Sequence, residues 1–212
     1  FPSVYYFQYF NSKRKQLTKM SLSLKICVVG PKGAGKTAIS NFLAGQSNTV
    51  VEGRYDATVG VRILEYEGVV SGVGGIKGNI PVNIELWDAS GDHKYEACWR
   101  AIMHESDGVL LVYNPDAPAQ DQQIGDWFDY FVKKNNLKDE QCMLFAHRAA
   151  SQSNQGSQKF RPPPLFQKIN SALTSSLGTD IMKDKFNNFV NELQAIKDRN
   201  AGGMSVQSSF RK

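Results

Sequence analysis

Gly30-Pro31-Lys32-Gly33-Ala34-Gly35-Lys36-Thr37 decides the reading of this chain, because it satisfies GxxxxGK[S/T] and its flanks supply the context that pattern needs. Before it runs Ile26, Cys27, Val28 and Val29, a short continuous apolar stretch of the kind a strand shows when a parallel sheet buries both its faces. After it come Ile39, Phe42 and Leu43 at helical spacing. Glycines between a strand and a helix let backbone N–H groups converge on a phosphate, and the helix N-terminus adds its partial positive charge. The expected phosphate contacts are Lys32, Gly33, Ala34, Gly35, Lys36, Thr37 and Ala38. The Lys36 ammonium would reach the β- and γ-phosphates, and the Thr37 hydroxyl would ligate Mg2+.

Outward from this motif, two further apolar runs, Val109 to Tyr113 and Cys142 to Ala146, read as buried strands. Helical spacing recurs in Ile124, Trp127, Phe128 and Phe131, and again in Met182, Phe186, Phe189, Leu193 and Ile196. Strand and helix alternate, which predicts an α/β fold. Val61 to Glu67 and Val82 to Trp87 alternate partially and read as an edge hairpin, joined by a glycine-rich flexible insertion over 68–81. A second insertion is expected over 149–164, polar and ending in Arg161, Pro162, Pro163 and Pro164; it reads as a mobile surface segment or a polyproline ligand. Residues 1–20 are expected as a disordered N-terminal extension, 21–200 as the folded domain and 201–212 as a disordered tail.

Charge and cysteine usage narrow the function. The net charge is +5, but Lys13, Arg14, Lys15 and Lys19 sit in the extension without an acid, and removing them leaves +1. A nearly neutral domain gives no electrostatic case for nucleic acid. Cys27, Cys98 and Cys142 lack the spacing of a zinc site or a disulfide framework and are expected as buried small hydrophobes. No apolar run of about 18 residues and no signal-peptide pattern occurs, so an intracellular protein is expected.

Asp88-Ala89-Ser90-Gly91 supplies DxxG at the end of a predicted strand, with Asp88 suited to hold magnesium through water and the Gly91 N–H to meet a γ-phosphate. Thr58, in Tyr55-Asp56-Ala57-Thr58, sits where a loop would fold its hydroxyl onto the same metal while the γ-phosphate is present; otherwise it is an exposed loop threonine.

The ordered set GPKGAGKT, YDAT and WDASGD resembles the Ras-like small GTPases. GVRILEYE (60–67), WDASGD (87–92) with Cys98 and Trp99 behind it, and QCMLFAH (141–147) narrow the resemblance to the Rab-like GTPase subunits of the intraflagellar transport B particle. It covers about residues 24–200. It implies a Ras-like G domain with a mostly parallel sheet of about six strands, one antiparallel edge hairpin and helices on both faces. It also implies GTP or GDP with Mg2+, docking on coiled-coil subunits of that particle, and a place in the cytoplasm and the cilium or flagellum.

Several residues depart from the family pattern. Asp92 stands where hydrolysing members carry a water-orienting Gln, and Lys32 where Gly is common, so slow hydrolysis is expected and Asp92 is the candidate, atypical catalytic residue. His147 and Arg148 follow the strand where NKxD is expected, without a carboxylate for guanine; each either meets the purine or is a strand-end residue. Ser171 and Ala172 match the start of the guanine-facing SAK loop. The chain ends without the prenylated cysteines of Rab proteins, so no lipid anchor is expected. His93, Tyr95 and Trp99 are candidate docking aromatics, with burial against the sheet the other reading of Trp99. Four functions stay open: a GTP-binding adaptor, a cycling hydrolase, a purine-tolerant or nucleotide-free scaffold, and a P-loop kinase, the last disfavoured because 101–160 shows no arginine-rich lid.

Overall fold

Ile26, Cys27, Val28 and Val29 are all wholly buried because sheet neighbours flank them on both sides and helices cover both faces. The computed structural model describes residues 22–50, 56–71, 78–148, 160–176 and 178–207, with 202–207 as backbone. Its strands are β1 (Ser23–Val29), β2 (Val61–Ser71), β3 (Asn79–Ala89), β4 (Gly108–Tyr113), β5 (Cys142–Arg148) and β6 (Asn170–Ser175). They lie side by side in the order β2-β3-β1-β4-β5-β6. Only β2 with β3 is antiparallel; the other four pairings are parallel.

Parallel neighbours need crossovers, and the crossovers lay helices on both faces. On one face Ile39 and Phe42 of α1 (Lys36–Leu43) and Phe186, Phe189 and Leu193 of α4 (Thr179–Gln207) meet Leu24, Ile26 and Val28. On the other, Trp99 and Ile102 of α2 (Glu96–Met103) and Ile124 and Trp127 of α3 (Gln120–Phe128) meet Cys27 and Val29. Burying each such large apolar side chain contributes roughly 1.5–3 kcal/mol. Among the described residues no helix is long and apolar enough to cross a membrane.

Several boundaries differ from those expected. The hairpin strands run through Ser71 and from Asn79, because Val70 pairs with Ile80 and is buried, so the register continues into the expected insertion; 72–77 lie outside the described residues. Of the second insertion, 149–159 lie outside the described residues, while Phe160 packs on the second core and a 3-10 turn, Pro164–Phe166, leads straight into the wholly buried Phe166. The last helix runs to Gln207, into the expected tail; 208–212 and 1–21 lie outside the described residues. Cys98 is exposed on α2, unlike Cys27 and Cys142. Helix α2 was not legible in advance because only Trp99 and Ile102, three apart, are buried in it.

Candidate nucleotide-binding site

Because β1, β3, β4, β5 and β6 are mutually parallel, their carboxyl ends share one edge of the sheet. Open α/β sheets place ligands outside that edge. The loop after β1 enters α1 through Gly35, whose φ of 90° is left-handed, and no side chain caps the helix. Its first turn carries no acid either, so its free N–H groups are left for an anion.

Lys36 is buried, and its Nζ donates to the carbonyls of Gly30 and Pro31, both at 2.8 Å. Burial lowers its pKa to about 8, with the charge of Asp88 pulling the other way. Gly91, of the sequence-predicted DxxG, lies against this loop: a Cβ there would stand 2.5 Å from Lys32 N and 2.6 Å from Lys36 Nζ.

The Thr37 hydroxyl donates to Asp88 Oδ2 at 2.8 Å and lies 2.8 Å from Thr58 Oγ1. Having spent its one proton on Asp88, Thr37 accepts from Thr58. Three expected metal-site residues, 51 positions apart at the extremes, thus meet. Asp88 is wholly buried, and its Oδ1 has no hydrogen-bond partner among the described residues. Burial raises the Asp88 pKa, while the Thr37 hydroxyl and the Lys36 and Arg62 charges oppose that rise. An unpaired buried carboxylate oxygen beside two hydroxyls suits a hard, hydrated cation that also takes phosphate oxygens, as magnesium does. No group of three His, Cys, Asp or Glu side chains that could hold a metal ion occurs among the described residues.

Asp92 caps the 3-10 turn His93–Tyr95: its Oδ1 accepts from Lys94 N at 3.1 Å, and Oδ2 lies 3.4 Å from Lys94 Nζ. The Lys94 backbone hydrogen bond is the main cause of its lowered pKa, with the Lys32 charge a smaller one. Trp99 is buried, its ring centroid 4.4 Å from that of Trp127, which removes it from the docking aromatics; His93, 5.2 Å from Trp99, is exposed.

His147 is buried under the phosphate loop. Its Nδ1 lies 3.1 Å from Thr174 Oγ1, its Nε2 3.5 Å from Ser176 Oγ, and a Cβ on Gly35 would stand 2.8 Å from its Cδ2. Burial lowers its pKa to about 4, so the ring is neutral near pH 7. Arg148 points to the other face, with Nε 2.9 Å from Asp116 Oδ2. Ser171 and Ala172 do not belong to the site. They pair with Leu144 and Phe145 inside the sheet, Ala172 is in the core, and it is Thr174 and Ser176 that reach the carboxyl edge.

Sequence reading missed Gln120, Asn41 and Arg62. Gln120 is buried, donates through Nε2 to Lys32 O at 3.1 Å and accepts from Asn114 N at 2.8 Å, tying the phosphate loop to the start of α3. Arg62 stands beside Asp88, and Asn41 accepts a hydrogen bond from Arg62. None carries a sequence signal, since each contact spans elements remote in the chain.

A phosphate loop entering an uncapped helix, with a buried carboxylate and two hydroxyls closing on its Thr, is the organisation of the Ras-like P-loop GTPases. The family model described as "Ras of Complex, Roc, domain of DAPkinase" matches residues 25–149. The intraflagellar transport protein 22 homolog of Homo sapiens is 41% identical over 145 residues, 67% of this chain and 75% of the relative. Intraflagellar transport protein 22 of Chlamydomonas reinhardtii is 37% identical over 123 residues, 58% of this chain and 60% of the relative. Among solved structures, the T. brucei IFT22/74/81 GTP-bound crystal structure is similar with a TM-score of 0.64 and 26% identity, covering 85% of this chain and 98% of that one. This chain belongs to the intraflagellar transport protein 22 family of small GTPases.

Proposed function

We propose that this chain is a GTP-binding adaptor subunit of the intraflagellar transport B particle, docking through the surface beside its phosphate site and hydrolysing GTP slowly or not at all. The observation that carries the reading is the convergence of Thr37, Thr58 and Asp88 beside Lys36, with Asp88 Oδ1 left unpaired. In it, Lys32 to Ala38 and Gly91 hold the phosphates, and Thr37, Thr58 and, through water, Asp88 hold Mg2+. Mg2+ held there would supply neutralisation of phosphate charge. Lys36 leaves the loop carbonyls for the phosphates. The G domain takes in every element from β1, which begins at Ser23, to α4, which ends at Gln207.

Docking is supported by the exposed apolar side chains next to Thr58: Val59 is 75% exposed and Ile63 49%. A γ-phosphate that holds Thr58 also holds the adjoining Val59 beside Ile63, which β2 already fixes, so bound nucleotide stiffens the docking surface. The partners are coiled-coil subunits of the particle, in the cytoplasm and the cilium or flagellum. Assembly with other transport subunits is supported by the T. brucei relative, solved GTP-bound as IFT22/74/81. Slow hydrolysis is supported by Asp92, whose carboxylate is occupied as a cap and is anionic where a neutral water-orienting amide is usual.

A second reading, tolerance of other purines, is favoured by one observation. Neither His147 nor Arg148 has a carboxylate for guanine's N–H groups, and both are engaged elsewhere, His147 against Gly35 and Arg148 with Asp116. To test both, the purified protein is denatured and the released nucleotide chromatographed. Released GTP supports the adaptor, GDP a cycling enzyme, and an adenine nucleotide the purine-tolerant reading. No nucleotide, together with undiminished partner binding by Lys36→Ala, would sink all three.

A further inference from the structure

Arg62 lies directly across the β2–β3 ladder from Asp88, as its Cα partner. Its Nη1 stands 3.8 Å from Asp88 Oδ2, and its Nη2 donates to Asn41 Oδ1 on α1 at 2.9 Å, which aims the guanidinium at the metal-site carboxylate. The Asp88 side chain is wholly buried while that of Arg62 is 40% exposed, so the cation sits at the solvent side of the carboxylate and closes it off. The guanidinium is a planar cation suited to lie against a carboxylate. Besides tying β2 to α1 through Asn41, it is a fixed positive charge beside the oxygens that would hold magnesium.

We propose that Arg62 is a resident cation of the magnesium site, standing in for part of the metal's charge, so that nucleotide retention by this chain depends less steeply on magnesium than it otherwise would. Two effects of opposite sign follow from Coulomb's law. With the metal stripped, Arg62 still offsets the repulsion between Asp88 and the nucleotide phosphates and slows release. With the metal present, Arg62 repels it and raises the concentration needed for half-protection. A merely structural arginine would not move these two quantities in that paired way.

The inference rests on the nucleotide reading above, and the test separates the two. Release of a fluorescent guanine nucleotide is timed in excess Mg2+, in EDTA and across a Mg2+ titration, for the unaltered chain and for Arg62→Gln, Arg62→Lys and Asn41→Ala. Arg62→Gln is expected to raise the EDTA acceleration about tenfold, as befits a half-exposed charge at this separation. It should also lower the half-protecting Mg2+ concentration, and Arg62→Lys should restore most of both. Asn41→Ala, which frees the guanidinium without altering charge, should move both the same way by about threefold, and it serves if Arg62→Gln does not fold. Retention by the unaltered chain with an acceleration that no variant changes overturns this inference alone. An unaltered chain that retains no nucleotide even in excess Mg2+ overturns the nucleotide reading and this inference with it.

Discussion

Acidification should loosen the phosphate loop through one residue, His147. Its imidazole is buried between Thr174, Ser176 and Gly35, and burial holds its pKa near 4 against an ordinary 6.5. The folded chain therefore binds fewer protons than the unfolded chain between those values, so its stability is complete above pH 6.5 and is lost as pH falls toward 4. At about 1.4 kcal/mol per pH unit the whole displacement amounts to about 3 kcal/mol, of which about 2 kcal/mol falls between pH 7 and pH 5. That is a sizeable share of the 5–15 kcal/mol typical of a domain. Other groups titrate as well, notably Asp88, whose raised pKa acts in the opposite direction, so the comparison must be with a variant. His147→Asn keeps a hydrogen-bonding side chain without a titrating one. Urea unfolding of both proteins at pH 7 and pH 5 should show the unaltered chain losing about 2 kcal/mol more than the variant. Equal losses, within about 0.5 kcal/mol, would refute the argument that the imidazole is held neutral beneath the loop.

Three further outcomes are expected. Because Lys36 titrates near 8 in the free protein and phosphates hold it charged, binding takes up a proton above that pH; affinity should fall about fourfold from pH 7 to pH 8.5, and a flat profile in fluorescence titration contradicts the role given to the ammonium. Phe189→Ala, at a wholly buried core position, should cost about 3–5 kcal/mol in denaturant melts; a loss under about 1 kcal/mol contradicts the close packing of α4 on the sheet. Single-turnover phosphate release without a partner should not exceed the unassisted Ras-like scale of about 10⁻⁴ per second, whereas a rate above about 10⁻² per second means that Asp92 or another group positions water well.

The amino-acid sequence by itself determined the α/β class, the buried strand before Gly30, the helix after Thr37, and Asp88 at the end of β3. Those features are local: a continuous apolar run, a glycine pattern and helical spacing describe neighbouring residues, whose interactions scarcely depend on what lies across the domain. It also marked Thr58, because a loop placed between the first helix and the hairpin has few places to fold. What only the tertiary structure decided is which side chains meet across the sheet. Strand order and register set Arg62 opposite Asp88, put Thr174 beside His147, and left Ser171 and Ala172 inside the sheet rather than in a base-binding loop. Trp99 had two readings until α2 turned it onto Trp127, and Gln120 reached Lys32 across 88 positions. A contact between remote residues depends on how every intervening element packs, and a one-residue change of register would reverse the face each strand side chain takes.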